Sequence, residues 1–344
     1  MSAIRDGIEL AVGYLKAAQS ADGLWRDFRT PAGEASEWVT AFVLAMTADL
    51  PDMQDVSRDA AARLLRCQRS DGGWGYNPRV PSDADSTAWA LVALERETSQ
   101  RPTSTWRALD FLRRHQDIKS GGFATYTPSS GIAQFIGVQD PLVTAGWCSP
   151  HVCVSALAIR AISARLRDPR QSFLSNAAAF VSNERGSGPL WNTYWWKGQA
   201  YVTYLCLRAL WSVRLLGREE VFDALDTAVS FQQSDGGWQD ASTGEPDIFE
   251  TALWLLALLI YPSERFTDNR LQAARMLLRA QLPDGSWPVL PILQIPPPSS
   301  GLEDLPRTEW RRGGTGTGVI VEDHARVFTT AAACRGLRAL RDLT

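Results

Sequence analysis

The sequence predicts an all-α protein in which six outer and six inner helices form a closed double ring, an (α/α)6 toroid. Two observations lead to this fold class. A short motif of Gln, Gly and Trp returns about every fifty residues along the 344-residue chain. Each copy lies between a helix with one apolar stripe and a helix that is apolar almost all round. A fixed period of this length is typical of proteins built from repeated supersecondary units.

The motif ends a helix, because glycine accepts the left-handed backbone and aspartate hydrogen-bonds the local backbone. We therefore expect its Gln, Gly and Trp residues to serve the architecture. Each copy begins with a glutamine, or with an asparagine in the fourth copy. The first residues of successive copies are 49, 48, 67, 50 and 48 residues apart, and an insertion at about 124–150 explains the long interval. The strong copies are Gln19–Trp25, Gln68–Trp74, Gln233–Trp238 and Gln281–Trp287, and the weaker ones are Gln116–Phe123 and Asn183–Trp191.

The helix before each motif is striped, as an outer layer requires, and the helix after it is apolar enough to be buried on both sides. An open stack would need polar caps at its ends, which the pattern lacks, so closure into a barrel is expected. The inner N-termini then surround one pocket. The predicted outer helices are Ile4–Gln19, Val56–Gln68, Thr105–Gln116, Phe173–Asn183, Glu220–Gln233 and Asn269–Gln281. The predicted inner helices are Trp38–Asp49, Ser86–Glu95, Val152–Ser163, Ala200–Val213, Phe249–Tyr261 and Phe328–Leu340.

The composition narrows the range of possible functions. The net charge of −3 and the scattered Lys and Arg residues argue against a nucleic-acid partner. The 14 tryptophans indicate a structural repeat, an aromatic cavity, or both. Five cysteines, an odd number, fit reduced thiols, and the chain starts directly in an amphipathic helix with no signal peptide, so a cytoplasmic location is expected. No apolar run reaches the roughly 18 residues of a membrane span.

The Gln-x-x-x-Gly-x-Trp pattern resembles the repeat of the squalene–hopene cyclase and oxidosqualene cyclase superfamily. It is also similar to that of protein prenyltransferase β-subunits, which share the toroid. Residues 19–25 match the full spacing, and the other strong copies match fully or with the glutamine shifted by one residue. The resemblance covers nearly the whole chain. It implies one domain over residues 1–344, similar to the β domain of class II terpene cyclases, with loop insertions at about 124–150 and 288–319.

One inner-helix start carries the chemistry that the resemblance implies. Class II cyclases have Asp-x-Asp-Asp-Thr-Ala and oxidosqualene cyclases have Asp-Cys-Thr-Ala at such a position; here the chain reads Asp83-Ala-Asp85-Ser86-Thr87-Ala88. In both families the residue matching Asp85 is the acid that protonates an alkene or epoxide. An alkene is a very weak base, so this acid must stay protonated, and burial and a neighbouring carboxylate both raise a carboxyl pKa. We expect Asp83 to share the proton. The alternative is that Ser82, Asp83 or Asp85 is simply a helix N-cap.

Protonation of an alkene produces carbocations, which need a dry aromatic wall, and tryptophan is the best π partner. Many tryptophans lie at or just before inner helices, and about half of them are expected to line the cavity while the rest pack the core. The predicted substrate-binding residues are Trp38, Trp89, Trp147, His151, Trp191, Trp195, Trp196, Tyr201, Trp254 and Phe328.

Other polar clusters have weaker interpretations. Cys148, His151 and Cys153 have spacing that could hold a metal, but the positions that bind zinc in the related prenyltransferases carry no Cys or His here, so no metal site is predicted. His151 is expected to be a polar group at the pocket mouth. The run Glu322–His324 is interpreted as a polar cluster, and Asp247 and Glu250 are interpreted as solvated acids at a helix start.

The segment 288–319 has an apolar, proline-rich half that suits a lid or a surface touching lipid, so peripheral membrane contact is possible on this interpretation. Its glycine-rich half carries Arg307, Arg311 and Arg312, which are candidates to hold a diphosphate. Mg²⁺ is expected only if the substrate is such a diphosphate, and no other cofactor is predicted.

The leading hypothesis is therefore a small class II terpene-cyclase-like enzyme that cyclises a prenyl diphosphate or a prenylated small molecule. The alternatives are a non-catalytic toroid that binds an isoprenoid or a protein partner, or a prenyltransferase-like enzyme. A carbohydrate-active (α/α)6 enzyme also uses Trp platforms and paired acids, but it shares the fold by analogy alone.

Overall fold

The computed structural model describes residues 2–95, 102–165, 172–186, 188–240, 243–261, 263–313 and 315–343. Across these ranges, twelve long helices alternate between an outer and an inner ring, so the predicted toroid is confirmed. A short helix, α6, Ile132–Phe135, lies in the first insertion. Each outer helix is followed by an inner one: α1 (Ser2–Ala17) and α2 (Glu37–Thr47), α3 (Gln54–Arg66) and α4 (Ala84–Ala93), α5 (Pro102–Arg114) and α7 (Val152–Ser163), α8 (Ser172–Asn183) and α9 (Ala200–Ser212), α10 (Arg218–Ser230) and α11 (Ile248–Leu258), α12 (Thr267–Ala280) and α13 (Val327–Leu343).

The inner ring closes on itself. Its helices pack in the order α2, α4, α7, α9, α11 and α13, and α13 packs back against α2. The outer ring also meets at its ends, since α1 packs against both α12 and α13. The inner helices are buried on nearly all faces, whereas the outer helices bury one stripe each. This difference follows the apolar patterns of the two helix types.

Each motif tryptophan is fastened to its own outer helix. Its indole N–H donates to the carbonyl ten residues earlier, near the end of that helix, at 2.6–2.8 Å. These rings are buried, so the bond satisfies an indole N–H and a carbonyl that would otherwise have no partner. The five pairs are Trp25 with Leu15, Trp74 with Leu64, Trp191 with Val181, Trp238 with Ala228, and Trp287 with Leu277.

The motif glutamine joins neighbouring repeats. In the last repeat, the amide of Gln281 donates to the carbonyl of Gly285 in its own turn and to that of Gly7 in α1, which links the two ends of the chain. In the fifth repeat this role belongs to Gln232, which donates to Gly236 and to Asn269, rather than to the predicted Gln233, which bonds its near neighbour Phe231. The one-residue shift in the motif is therefore absorbed by a second glutamine.

Glycine is required where the turn touches the next outer helix. Gly285 has φ +89°, and a Cβ there would lie 2.2 Å from the carbonyl oxygen of Leu10 in α1. Gly72 has φ +96°, and its Cβ would lie 2.4 Å from the carbonyl oxygen of Arg107 in α5. Both the left-handed backbone and the close approach exclude larger residues.

Short strands supplement the helices, which the all-α prediction did not include. They are β1 (Asp27–Thr30), β2 (Gly33–Ala35), β3 (Trp74–Gly75), β4 (Ser82–Asp83), β5 (Trp238–Gln239), β6 (Pro246–Asp247), β7 (Pro291–Ile295), β8 (Arg311–Arg312) and β9 (Val319–Glu322). The first six form three antiparallel pairs that lead from a motif to the next inner helix. In the last sheet β9 lies between β7 and β8, so the apolar half of the predicted loop at 288–319 is an ordered wall. No helix among the described residues is both long and apolar enough to cross a bilayer.

The two adjacent glutamines give a test of the bridging role. We expect Gln232→Met to lower the free energy of unfolding by about 1–3 kcal/mol, because the buried carbonyls of Gly236 and Asn269 lose their donor. Gln233→Met, the matched control, should change it by less than about 0.5 kcal/mol. Urea unfolding measures both, and equal effects of the two substitutions would contradict the assignment.

Candidate active site

The second residues of the six inner helices form one ring at the mouth of the toroid. The ring members contact or lie beside one another in order, and the last meets the first. Four of the six are aromatic and one is an acid. In the order of the helices they are Trp38, Asp85, Cys153, Tyr201, Phe249 and Phe328.

One cavity reaches this ring, at Trp38 and Asp85, and a second cavity lies beside it. The inner cavity, of about 100 Å³, is lined by Trp38, Asp83, Asp85 and Trp196 among others. A larger, mostly apolar vestibule of about 670 Å³ lies beside it. The two cavities share four lining residues and so adjoin each other; we call the two together the path to the acid. The shared residues are Tyr76, Tyr126, Trp195 and Ile295.

Asp85 is the acid at the end of this path. Its Oδ2 accepts a hydrogen bond from the indole Nε1 of Trp38 at 2.9 Å, while its Oδ1 is buried and makes no hydrogen bond to the described residues. Burial first, and then the neighbouring Asp83 carboxylate, raise the pKa of Asp85 to about 8, against a smaller lowering by the Trp38 bond. The carboxyl is therefore neutral at physiological pH, the state that a proton donor to an alkene requires.

Asp83 takes the N-cap position of α4, as the alternative interpretation proposed for one of these residues. Its Oδ1 accepts from the backbone N–H of Ser86 and its Oδ2 from the Ser86 hydroxyl, both at 2.7 Å. Burial raises the pKa of Asp83 to about 6, and the Ser86 bonds oppose that rise. Among the described contacts the two carboxyls are not hydrogen-bonded to each other, so the shared proton that we expected is not observed; Asp83 acts on Asp85 through its charge.

The start of α4 is fixed by the repeat rather than by the acids alone. Trp74 pairs with Asp83 across the strands β3 and β4, and the backbone N–H of Trp74 donates to the hydroxyl of Thr87 at 3.0 Å. The fifth repeat has the same arrangement, with Trp238 bonded to Thr251. The threonine of Asp-Ser-Thr-Ala is therefore a structural residue that sets the position of the helix.

Six of the predicted aromatic residues surround the path, four lining it and two behind them. Trp38, Trp195 and Trp196 line the inner cavity, and Trp147 and Trp195 line the vestibule. Behind this surface, Trp196 stacks on Tyr201 with ring centroids 3.9 Å apart. Phe328 lies 5.0 Å from Trp38 and supports it from the opposite side.

Three predicted tryptophans line neither cavity. Trp191 is the motif tryptophan of the fourth repeat and holds its own outer helix. Trp89 is buried one turn below the ring, where its Nε1 donates to the hydroxyl of Tyr201 at 2.9 Å. Trp254 packs against Trp238 in the wall between rings. These three therefore belong with the tryptophans that were expected to pack the core rather than line the cavity.

His151 lies next to the path rather than on it. Its Nδ1 is 3.1 Å from the hydroxyl of Thr125, which lines the inner cavity, and 3.3 Å from Nε1 of Trp195. The ring stacks on Tyr194 at 3.9 Å, and burial lowers its pKa to about 3, so it is neutral. A third cavity of about 310 Å³ begins on the other side of His151.

Within the ranges described, no three His, Cys, Asp or Glu side chains converge as a metal site. Burial raises the pKa of the Cys148 thiol and also that of Cys153.

The three candidate diphosphate-binding arginines lie outside the path. Arg307, Arg311 and Arg312 are exposed, and none of them lines the inner cavity or the vestibule. Arg312 lies 3.8 Å from the carboxylate of Asp240, and its own side chain is 56% exposed. The described charged residue that does line the vestibule is Arg79.

Of the other helix-start acids, Asp247 is buried and Glu250 is half-buried, so neither is the solvated acid that we predicted. Asp247 caps α11 by accepting from the N–H of Glu250. Glu250 accepts from the N–H of Ala200 with both oxygens at 3.1 Å and so caps α9; burial and Asp247 raise its pKa to about 8. Asp27 and Asp323 cap α13, so the predicted cluster at 322–324 is structural.

Sequence reasoning missed Tyr76, Thr125 and Tyr126, which line the inner cavity. A signal for them exists in the repeat: each comes two or three residues after a motif aromatic, Trp74 or Phe123. At the same offset in the first repeat, Phe28 contacts the ring residue Trp38. Leu293 and Ile295 were missed as wall residues because the segment containing them was interpreted as a lid.

The prenyltransferase alpha-alpha toroid domain family model matches residues 8–126 and 189–299. The chain belongs to this family, as the repeat predicted. Among the curated relatives, it is 33% identical over 136 residues to a drimenyl diphosphate synthase of Streptomyces showdoensis, which is 37% of this chain and 25% of that one. The chain therefore spans about a quarter of the length of that relative.

The structural matches extend over the whole chain. A variant of the type II terpene cyclase MstE from Scytonema, solved with its substrate geranylgeranyl dihydroxybenzoate, matches with a TM-score of 0.89 and 29% identity over 100% of this chain and 99% of that one. A protein from Actinoplanes matches with a TM-score of 0.86 and 27% identity over 98% and 99% of the two chains. The predicted likeness to class II terpene cyclases is confirmed.

The raised pKa of Asp85 predicts how stability depends on pH. In the unfolded chain the carboxyl ionises near its ordinary pKa of 3.8, whereas in the fold it keeps its proton up to about pH 8. Between these values the folded state binds more protons, so stability falls as pH rises, by up to about 1.4 kcal/mol per pH unit for one group. Asp85→Asn, which retains an acceptor for Trp38, should therefore gain stability over the unsubstituted protein between pH 5 and 8. If the curves of unfolding free energy against pH are parallel for Asp85→Asn and the unsubstituted protein, the prediction is wrong.

Proposed function

We propose that the protein is a class II terpene cyclase in which Asp85 starts the reaction by protonating the far end of a prenyl chain. One observation carries the proposal: the described path from the vestibule ends at a carboxyl whose pKa is raised to about 8 and which is part of a ring of aromatic side chains. The O–H bond breaks, the π electrons of the terminal alkene form the new C–H bond, and a tertiary carbocation and the Asp85 carboxylate remain.

Groups around Asp85 stabilise both charges that this step produces, the carboxylate and the carbocation. The indole of Trp38 donates to Asp85 and so stabilises the carboxylate once the proton has left. The dipole of α4 acts in the same direction, because Asp85 lies in its first turn. The faces of Trp38, Trp195 and Trp196 offer π electrons to the cation, each contact contributing about 0.5–2 kcal/mol when water is excluded.

The sizes of the cavities suit an elongated substrate. At about 100 Å³ the inner cavity is smaller than the roughly 150 Å³ apolar cavity that holds benzene, so it accommodates the end of a chain. The vestibule, at about 670 Å³, lies within the ordinary range of roughly 300–1,000 Å³ for small-molecule sites. The prenyl tail therefore enters first, and the head group stays in the vestibule or at its rim.

The charge of the vestibule favours a head group of low charge. Arg79 is the described cation in its lining, and the remaining lining side chains are mainly apolar. A diphosphate is ordinarily held by several cationic groups or by Mg²⁺. We therefore infer that the substrate is a prenylated aromatic or similar small molecule. A prenyl diphosphate is the second candidate, with Mg²⁺ as its partner, and it is favoured by the similarity to drimenyl diphosphate synthase.

Entry from a membrane surface fits the outer rim of the vestibule. Phe135 and Val143 line the vestibule and remain partly exposed, and Leu142 beside them is 76% exposed. These side chains come from the 124–150 insertion, not from the proline-rich segment in which we expected a lipid contact. We therefore propose that these exposed side chains make peripheral contact with a membrane.

The activity test compares Asp85 with Asp247, the acid of the fifth repeat that corresponds to the N-cap Asp83. We expect the protein to cyclise geranylgeranyl dihydroxybenzoate, with farnesyl and geranylgeranyl diphosphates, with and without Mg²⁺, assayed in parallel by mass spectrometry. Asp85→Asn should reduce turnover by about 10²–10⁴-fold, since it removes the proton but retains an acceptor for Trp38.

Asp247→Asn is the matched control, because Asp247 is a buried N-cap outside both cavities and should leave turnover within about threefold of normal. An Asp85→Asn protein that turns over normally would overturn the assignment of the acid. Absence of any cyclised product from all three substrates would overturn the proposed function.

A further inference from the structure

A hydrogen-bonded pair, Thr125 and His151, connects the inner cavity to the separate pocket on the other side of His151. Thr125 lines the inner cavity together with Asp85. Its backbone carbonyl accepts from the N–H of Ala84 at 3.0 Å, so it is held against the helix turn that carries the acid. His151 caps the next inner helix, α7, and lines the pocket of about 310 Å³.

The directions of the hydrogen bonds determine where the protons lie. The indole N–H of Trp195 is a donor only, and it lies 2.9 Å from the Thr125 hydroxyl and 3.3 Å from Nδ1 of His151. The hydroxyl therefore accepts from Trp195 and directs its own hydrogen to Nδ1, 3.1 Å away. Because Nδ1 receives donors, it carries no hydrogen, and the neutral ring has its proton on Nε2.

The far side of the imidazole faces a different environment. Nε2 is buried and makes no hydrogen bond of ordinary geometry to the described residues, although the carbonyl of Gly146 favours the protonated ring. Gly146 and His151 both line the outer pocket. The same lining includes the acids Asp117, Glu184 and Glu303 and no described Lys or Arg, so its charge stabilises an imidazolium at His151.

On the basis of the proposed function, we propose that Thr125 and His151 form the relay that removes the final proton from the cyclised carbocation. The Thr125 oxygen takes a hydrogen from the carbon next to the cationic centre, and the C–H electrons become the new double bond. At the same time the hydroxyl hydrogen passes to Nδ1, which makes the ring an imidazolium. When the product has left, Nδ1 returns this proton through the Thr125 hydroxyl to water that enters the inner cavity, which restores the neutral ring with its hydrogen on Nε2.

The base is weak, but the reaction does not need a strong one. Burial keeps His151 neutral, since it lowers the pKa of the ring to about 3. A neutral ring can accept a proton, whereas an imidazolium cannot, and a carbocation loses an adjacent proton even to weak bases. The relay also keeps Asp85 out of the terminating step, because proton delivery and removal lie on different inner helices.

The test separates proton removal from proton delivery. Thr125→Val keeps the shape of the side chain and removes the hydroxyl, and His151→Phe keeps the stacking on Tyr194 and removes the nitrogens. We expect both to form the normal product about 10²-fold more slowly, and to divert the carbocation to other double-bond isomers or alcohols, with substrate consumption reduced less than about tenfold. Thr125→Ser, which retains a hydroxyl, should restore the normal product.

Thr203→Val is the matched control, because Thr203 is a buried inner-helix threonine of α9 that lines neither cavity. It should leave the product pattern unchanged, and urea unfolding checks that each variant is folded. An unchanged product pattern in Thr125→Val, with the unsubstituted protein active, would overturn the relay alone. An unsubstituted protein that cyclises nothing would overturn the proposed function and the relay with it.

The tautomer of His151 can be measured without an activity assay, because the chain has few histidines. The chain has 3, so ¹⁵N spectra can be assigned by substitution. We expect the His151 ring at pH 7 to be the neutral tautomer with its hydrogen on Nε2. A hydrogen on Nδ1, or a protonated ring, would contradict the hydrogen-bond directions on which the relay depends.

Discussion

The exclusion of water from one carboxyl is the constraint on which the function of this protein depends. Six inner helices close into a ring, and closure brings the second residue of each helix to the same mouth. A carboxyl placed there loses much of its hydration, since Oδ1 of Asp85 is fully covered, and burial is accordingly the largest cause of its raised pKa. The same closure supplies the aromatic neighbours that a carbocation needs.

The repeat explains why one acid stands alone in that ring. The second residue of the inner helix is Asp85 in the second repeat, Tyr201 in the fourth and Phe249 in the fifth. The scaffold residues around it recur nonetheless: an aspartate caps both α4 and α11, and a threonine binds the motif tryptophan in both. The architecture is therefore repeated, whereas the chemistry comes from single substitutions at one repeated position.

Much of the fold could be predicted from the sequence because the repeat has a clear physical reason. The tryptophan must satisfy a buried carbonyl, the glutamine must bridge two helices, and the glycine must touch a neighbouring backbone, so these residues return at a fixed spacing. Asp85 was predicted as the acid by its resemblance to a cyclase motif, and the structure places it at the cavity.

The remaining site residues depend on tertiary contacts that have no spacing of their own. Trp89 and Trp196 both belong to aromatic-rich segments, but one is buried behind the ring and the other lines the cavity. Arg311 was considered because charge is visible in a sequence, whereas its position on the outer surface is not. Leu293 and Ile295 form a wall only because β7 pairs with β9, about 30 residues later in the chain.

Measuring the protonation state of Asp85 at neutral pH is the most direct test of this account. An infrared difference spectrum between the unsubstituted protein and Asp85→Asn at pH 7 should contain the C=O stretch of a protonated carboxyl, because the pKa of about 8 lies above the pH. The band should disappear as the pH is raised well past 8. A spectrum at pH 7 that shows an ionised carboxylate at this position would contradict the account.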